Sequence, residues 1–195
     1  MKLLGRATSG NVQKVIFLLE ELGASYERED YGKQFGNTTT ADYLSMNPNG
    51  KVPTFVDGDL VIWESHSILR YVAQKTGSDL YPADLGARSQ VDRWMDWLLA
   101  SLNGAYVSIF KATKGGEDVP ATSVSEMGAA LKILEGHLAA NDYLAGDSFS
   151  LADIALGPIV HRCLGFPVDR PATPNVEAWH ARISSRPAFK TATGG

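Results

Sequence analysis

Three observations along the chain predict an α/β sandwich followed by an all-helical bundle. Up to Gly77, short strand-like runs alternate with helix-period segments in the order β-α-β-α-β-β-α, the pattern of a β-α-β unit closed by a hairpin and a helix. Beyond Gly77 nearly every segment has helical period and none reads as a strand. Between the two lies SDLYPADLG, residues 78–86, with the composition of a connection. The predicted division is residues 1–77, a linker at 78–86, and a helical domain over 87–195.

Taken in order, Met1–Leu4 is a short apolar start suited to a strand. Asn11–Leu22 places Val12, Val15, Ile16, Leu19 and Leu22 on one face of an amphipathic helix, and Gly23 is its stop signal. Tyr26–Tyr31 is a weaker strand candidate, Gly32–Thr40 a polar loop, and Ala41–Met46 a short helix. TFV and LVIW flank Asp57-Gly58, a strong hairpin signal. Ser65–Thr76 reads as a helix with Ile68, Leu69 and Val72 inward.

In the second half, Ala87 to about Lys111 reads as one long helix with Val91, Trp94, Met95, Leu98 and Leu102 on one side. Ser123–Ala140 follows, with Ser123 and Glu126 spaced as a capping box. Phe149–Gly165 and Asn175–Ser184 complete the bundle. In FSLADIAL, residues 149–156, Ser150 is a good N-cap, and Asp153 at the third helical position can reach back to the cap's backbone N–H. Phe149 and Ile154 hold the hydrophobic-staple positions, so every local signal agrees that a helix nucleates there.

Composition narrows the function classes. The chain has 195 residues, 44% hydrophobic content, 21% charged residues and a formal net charge of −4. That is enough to bury a sizeable core. No Lys/Arg cluster suggests a phosphate-binding stripe, so nucleic acid is not the expected partner. No apolar run approaches the roughly 20 residues that span a bilayer, and the first residues lack the apolar core of a secretion signal. A cytoplasmic protein is expected, with no membrane partner. One cysteine, Cys163, rules out an internal disulfide framework and a CxxC motif, and the four histidines show no metal-ligand spacing. No metal cofactor is expected, and Cys163, on an apolar helix, reads as a packing residue.

Several motifs in the right order give the chain a resemblance to the cytosolic glutathione transferases over essentially its whole length. They are Ser9-Gly-Asn-Val-Gln-Lys14-Val, Asn47-Pro-Asn-Gly-Lys-Val-Pro53, Trp63-Glu64-Ser65, Ser150-Leu-Ala-Asp153, and the tail from Trp179 to Phe189. The chain is most similar to the serine-type bacterial, theta- and phi-like branches. The resemblance implies an α/β thioredoxin-like N-terminal domain, an all-α C-terminal helical bundle, and a homodimer. It implies glutathione as co-substrate and a small hydrophobic electrophile as its partner. The scaffold also supports isomerase, dehalogenase and peroxidase activities, and a non-catalytic binding or regulatory protein is a further alternative.

The resemblance also implies roles for residues. The proline matching Pro53 is cis in this family, so that Val52 presents its backbone to the cysteinyl part of glutathione, as in strand addition. Ser65 would hold the γ-glutamyl carboxylate at a helix N-terminus, a ready anion site. Glu64 would take the ammonium, and Lys51 would lie near the glycine carboxylate. Ser9 would donate to the glutathione sulfur and stabilise the thiolate. Thr8 is its rival if the loop register shifts by one, Asn11 is a further donor, and Ser9 as a plain helix cap is the bland alternative. Arg6, Tyr106, Ile109 and Phe110 are candidates for the electrophile pocket. Lys14 is expected in a structural ion pair.

Overall fold

The first strand and helix set the frame for all that follows. In the computed structural model, which describes residues 1–194, β1 (Lys2–Leu4) leads into α1 (Gly10–Glu21) and on to β2 (Glu27–Glu29). β1 and β2 are parallel, with Leu3 opposite Arg28. After α2 (Ala41–Met46), β3 (Thr54–Asp57) and β4 (Leu60–Trp63) form the hairpin expected at Asp57-Gly58. β3 pairs antiparallel to β1 with Phe55 opposite Leu3, giving the sheet order β2-β1-β3-β4. The two central strands bring Leu3 and Phe55, both fully buried, to the middle of the sheet.

α3 (Ser65–Lys75) packs against α1. α1 buries Val12, Val15, Phe17, Leu18 and Leu19 completely. A burial this broad exceeds the single stripe of a surface helix and requires cover from more than one neighbour. The second neighbour is α9 (Pro187–Thr193), which lays Phe189 edge-on to Phe17 at 5.3 Å. A two-pronged ion pair from Arg186 to Glu21 fastens the same contact. The last residues therefore group with the first compact unit, Met1–Tyr81 plus the segment from Arg186, while Pro82–Ser185 form the second. The assignment of everything from 87 onward to one helical domain misses this return, because a seven-residue helix far along the chain carries no local sign of what it packs on.

The second unit contains α4 (Leu85–Trp97), α5 (Asn103–Gly115), α6 (Ala121–Leu138), α7 (Leu151–Leu164) and α8 (Pro174–Ser184). The single helix expected from Ala87 to about Lys111 is interrupted by a π-helical turn at Leu98–Leu102. Such a turn inserts a residue and rotates the apolar face, a change that residue period alone does not reveal. Val91, Trp94, Met95, Leu98 and Leu102 are all buried.

The capping box expected at Ser123 is absent. α6 starts two residues earlier, directly after Pro120, because the residue before a proline is pushed out of the helical region. Ser123 thus falls inside the first turn and donates its hydroxyl to Ser108 Oγ at 2.8 Å.

The capping box at Ser150 is formed, and Asp153 does more than cap. Its Oδ2 accepts from Ser150 N at 2.9 Å and Ser150 Oγ at 3.0 Å. Its Oδ1 accepts from Leu144 N at 3.0 Å and from Trp179 Nε1 at 2.8 Å. One buried carboxylate therefore ties α7, the loop before it and α8 together. Burial pushes its pKa up, and the four donors oppose that shift. Glu135 of α6 plays a related part, accepting from Asn175 N and Val176 N, each at 3.0 Å, at the start of α8. These are the orphan donors of a helix N-terminus.

Replacing Asp153 by alanine leaves buried donors unpaired and removes the cap together. The expected loss is about 3–5 kcal/mol of unfolding free energy. Denaturant titration of Asp153→Ala checks it, and a loss below about 1 kcal/mol would show that the hub is dispensable.

Candidate functional site

The loop from β1 to α1 meets the loop before β3, and a glycine permits the approach. A Cβ on Gly5 would lie 2.5 Å from Val12 Cγ2 and 3.3 Å from Val52 Cβ. Directly after this crossing, Ser9 is the N-cap of α1 with extended backbone, φ −85° and ψ 125°. Its carbonyl accepts from Gln13 N at 2.8 Å. Its hydroxyl makes no capping bond, so the plain-cap role is not the one it plays here. Ser9 is 9% exposed, whereas Thr8 is exposed and Asn11, on the first turn of α1, is also exposed.

The loop before β3 is built by side chains from α2 and its C-terminal end. Asn47 is the C-cap of α2 and is 2% exposed. Its amide Nδ2 donates to Lys51 O at 2.9 Å and to Thr54 Oγ1 at 3.0 Å, and its Oδ1 accepts from Asn49 N at 3.1 Å. Tyr43 Oη donates to Lys51 O at 2.7 Å and lies 2.9 Å from Thr54 Oγ1. Gly50 closes the turn at φ +60°, a backbone conformation that favours glycine, with its N–H donating to Asn47 O at 3.1 Å. The Val52–Pro53 peptide is cis. Lys51 is exposed and Val52 half-buried at the rim of the loop.

At the far end of the hairpin, Glu64 is the N-cap of α3 with φ +71°. A glutamate rarely adopts this region, and such backbone clusters at functional sites. Glu64 is exposed, while Ser65, the first residue of α3, is 4% exposed.

These loops enclose two adjoining cavities, both within the first unit. One is lined by Arg6, Ser9, Asn11, Gly32, Lys51 and Val52 among others. The second is lined by Asn11, Asn47, Lys51, Val52, Pro53, Glu64 and Ser65 among others. Asn11, Lys51 and Val52 border both. The arrangement offers an extended polar ligand a hydroxyl at one helix N-terminus, a lysine beside a loop, and a second helix N-terminus carrying a serine. Each N-terminus suits an anion, a thiolate as well as a carboxylate.

Lys14 of α1 reaches His66, the residue that follows Ser65 of the second cavity. The lysine is fully buried, and its Nζ is 3.1 Å from His66 Nε2. Burial lowers its pKa to about 7, partly opposed by the charge of Glu64. The ion pair expected for this lysine is a hydrogen bond to an imidazole instead.

Arg6 belongs to the first cavity. Tyr106 and Phe110 sit in an aromatic cluster of the second unit, with Tyr106 facing Phe110 at 5.9 Å and Phe166 at 6.0 Å. Arg162 donates to Tyr106 Oη at 3.1 Å, and its guanidinium lies 5.3 Å from the Phe110 ring. Burial raises the Tyr106 pKa, with Arg162 pulling the other way. Ile109 is fully enclosed, 0% exposed. Cys163 is buried as well, its pKa pushed up to about 12 by that burial, which removes it as a reactive thiol.

Tyr43, Asn47, Thr54, His66, Arg162 and Phe166 were not singled out by the sequence as site residues. Asn47 carried the one usable signal, as the first residue of the quoted NPNGKVP motif. Among the described residues, no group of three or more His, Cys, Asp or Glu side chains could hold a metal ion. Among the same residues, no helix is long and apolar enough to cross a membrane.

Comparison with known proteins agrees with this fold. Residues 1–74 match the family model for the glutathione S-transferase N-terminal domain, and residues 98–187 match that for the C-terminal domain. Glutathione S-transferase GstB of Escherichia coli strain K12 is 34% identical, over 96% of this chain and 95% of its own. Glutathione S-transferase F10 of Arabidopsis thaliana is 33% identical, over 91% of this chain and 89% of its own. The crystal structure of a theta class glutathione S-transferase from Xanthomonas axonopodis pv. citri with glutathione bound superposes with a TM-score of 0.95 at 35% identity, covering 100% of this chain and 97% of that one. With both of its halves matched in order, and with relatives aligned along nearly its full length, the chain belongs to the glutathione S-transferase family.

Proposed function

We propose that the two adjoining cavities of the first unit bind glutathione and that Ser9 activates its thiol for attack on a small apolar electrophile. The observation that carries this reading is the Ser9 hydroxyl. It stands at a helix N-terminus, is not engaged in capping, and lines the same cavity as Lys51 and Val52.

In this reading the γ-glutamyl carboxylate docks on the N-terminus of α3 and Ser65, with Glu64 at the ammonium. The cysteinyl backbone pairs with Val52 beside Pro53, and Lys51 faces the glycine carboxylate. The sulfur then lies towards Ser9 and the first turn of α1, with Asn11 as a further donor. A free thiol has a pKa near 8.5, and lowering it by about two units needs roughly 2.7 kcal/mol. One charge-assisted hydrogen bond contributes roughly 1.5–3 kcal/mol. The serine alone therefore suffices, and no proton relay is needed.

The thioether forms by attack of the sulfur lone pair on the electrophilic carbon, with departure of the leaving group or protonation of the adduct. Holding both reactants together supplies much of the remaining rate. Arg6, which lines the first cavity, is the candidate contact to the electrophile within the first unit. The reduced glutathione pool belongs to the cytosol, which supports a cytoplasmic site of action.

A homodimer completes the proposal. The apolar residues Val91, Trp94 and Met95 of α4 are buried in this chain and offer no free face. Support comes instead from the edge strand β4, which exposes Leu60 (45%), Val61 (36%) and Trp63 (39%). An apolar edge left open invites pairing or cover. Sedimentation at micromolar concentration should show a dimer that Trp63→Glu weakens, and a monomeric native protein would contradict it.

Two substitutions separate binding from chemistry. Ser65→Ala should weaken glutathione binding about tenfold to a hundredfold, the loss of one hydrogen bond to a charged group. Ser9→Ala should retain binding and lose rate with an aryl halide, because its hydrogen bond favours the thiolate over the thiol. The rate profile should shift so that the apparent pKa of bound glutathione rises towards 8.5. Thr8→Ala is the control. If it, rather than Ser9→Ala, moves the profile, Thr8 is the activating hydroxyl; if neither does, activation comes from backbone N–H groups or Asn11.

A further inference from the structure

A fully buried lysine needs a reason. Ionised side chains are almost never wholly enclosed unless paired with an opposite charge, because desolvation of the ammonium is costly. Lys14 is 0% exposed, and its contact at 3.1 Å is to His66 Nε2, an imidazole rather than a carboxylate. His66 is itself 3% exposed and is the second residue of α3. The two residues that precede it in the chain, Glu64 and Ser65, are those assigned to the γ-glutamyl end of glutathione. The buried amine thus contacts the first turn of α3, whose N-terminus receives the ligand's carboxylate in this reading.

We propose that Lys14 is a positioning residue of the γ-glutamyl subsite, and that the Lys14–His66 pair couples docking of a carboxylate on the first turn of α3 to protonation of the buried pair. The inference rests on the glutathione reading of the site.

Charge acts strongly in a poorly screened interior. A carboxylate arriving at the N-terminus of α3 meets free N–H groups and the positive end of the helix dipole. A positive charge against that helix's first turn adds to the same field, and at low local dielectric it acts over more than contact distance. With Lys14 charged, it must donate to His66 Nε2, which orients the ring and holds the first turn of α3 against α1. With Lys14 neutral, the field at the subsite is weaker.

The charged groups around Lys14 leave it poised between the two states. α1 packs against α3 and α9. α3 contributes His66, Arg70 and Lys75, with Glu64 at its N-cap; Lys75 is held by Asp57. α9 carries Lys190 and is preceded by Arg186, which is bound to Glu21 of α1. Glu64 is the charge that acts on Lys14, and it favours the ammonium, while burial opposes it and sets proton loss near pH 7.

The sign follows from linkage. A docked carboxylate stabilises the ammonium, so Lys14 holds its proton to a higher pH in the complex than in the free protein. Affinity is then full below about pH 7 and falls, by up to about tenfold per pH unit, as the pH rises through the free protein's transition. Above that transition, binding takes up a proton.

Calorimetry with S-methylglutathione tests this, because its sulfur cannot ionise and add a proton of its own. Titrations at pH 8 in two buffers of different ionisation enthalpy give the proton uptake per site. The expected result is an uptake of about half a proton or more for the wild type. It should vanish in Lys14→Met, with affinity then flat between pH 6.5 and 8.5. Lys14→Met should still fold, since an apolar side chain of similar volume is usually tolerated where a charge was buried. His66→Gln preserves an acceptor for Lys14 and should keep the uptake. Binding without uptake in the wild type overturns the proposal, as does equal uptake in Lys14→Met or loss of uptake in His66→Gln alone. Absence of binding at every pH overturns the glutathione reading itself and the inference with it.

Discussion

The carbonyl of Lys51 accepts two hydrogen bonds, from Tyr43 Oη at 2.7 Å and from Asn47 Nδ2 at 2.9 Å, and the rest of the site depends on them. Both donors also meet Thr54 Oγ1, the first residue of β3. The loop from Asn47 to Pro53 is thereby pinned at both ends, to the end of α2 and to the start of a central strand. Neither Tyr43 nor Asn47 needs to touch a ligand. Their role is to make a loop as rigid as the sheet it precedes, which a site that must present backbone at fixed geometry requires. A phenol and an amide do this better than apolar side chains, because the buried carbonyl and hydroxyl would otherwise be orphaned.

The two units handle buried charge in opposite ways. Asp153 is enclosed with four donors, and its position is structural: it joins a helix start, a loop and a tryptophan. Lys14 is enclosed beside an imidazole that offers no charge to match. The first arrangement resists change because each donor would be left unpaired. The second leaves a buried amine against the first turn of α3, with its pKa lowered by burial. Perturbed groups of this second kind concentrate at functional sites, where a fold gives up some local stability for responsiveness.

The elements that position the site were legible in the sequence because they are locally encoded. The hairpin at Asp57-Gly58, the short helix at Ala41–Met46 and the capping box at Ser150 each rest on residues within one turn or one register of one another. The candidate ligand residues were legible through their order in recognisable motifs. By contrast, the Ser123 capping box failed although its spacing was right, since Pro120 already started the helix. The long helix beyond Ala87 has an apolar stripe compatible with a straight rod, and its π-helical turn lies in how that stripe packs.

The sequence by itself determined the alternation of strands and helices, their main boundaries, and which loops and helix termini carry serine, glutamate and lysine. Period, turn chemistry and capping are short-range properties, and each stretch of chain states its own. Only the tertiary structure decided that the tail returns to cover α1, that Lys14 is enclosed against His66, and that Tyr43 and Asn47 converge on one carbonyl. Those contacts join residues through space, up to 165 positions apart in the case of Arg186 and Glu21. Their energy comes from burial and from the geometry of two partners together, and neither partner's neighbours in sequence record it.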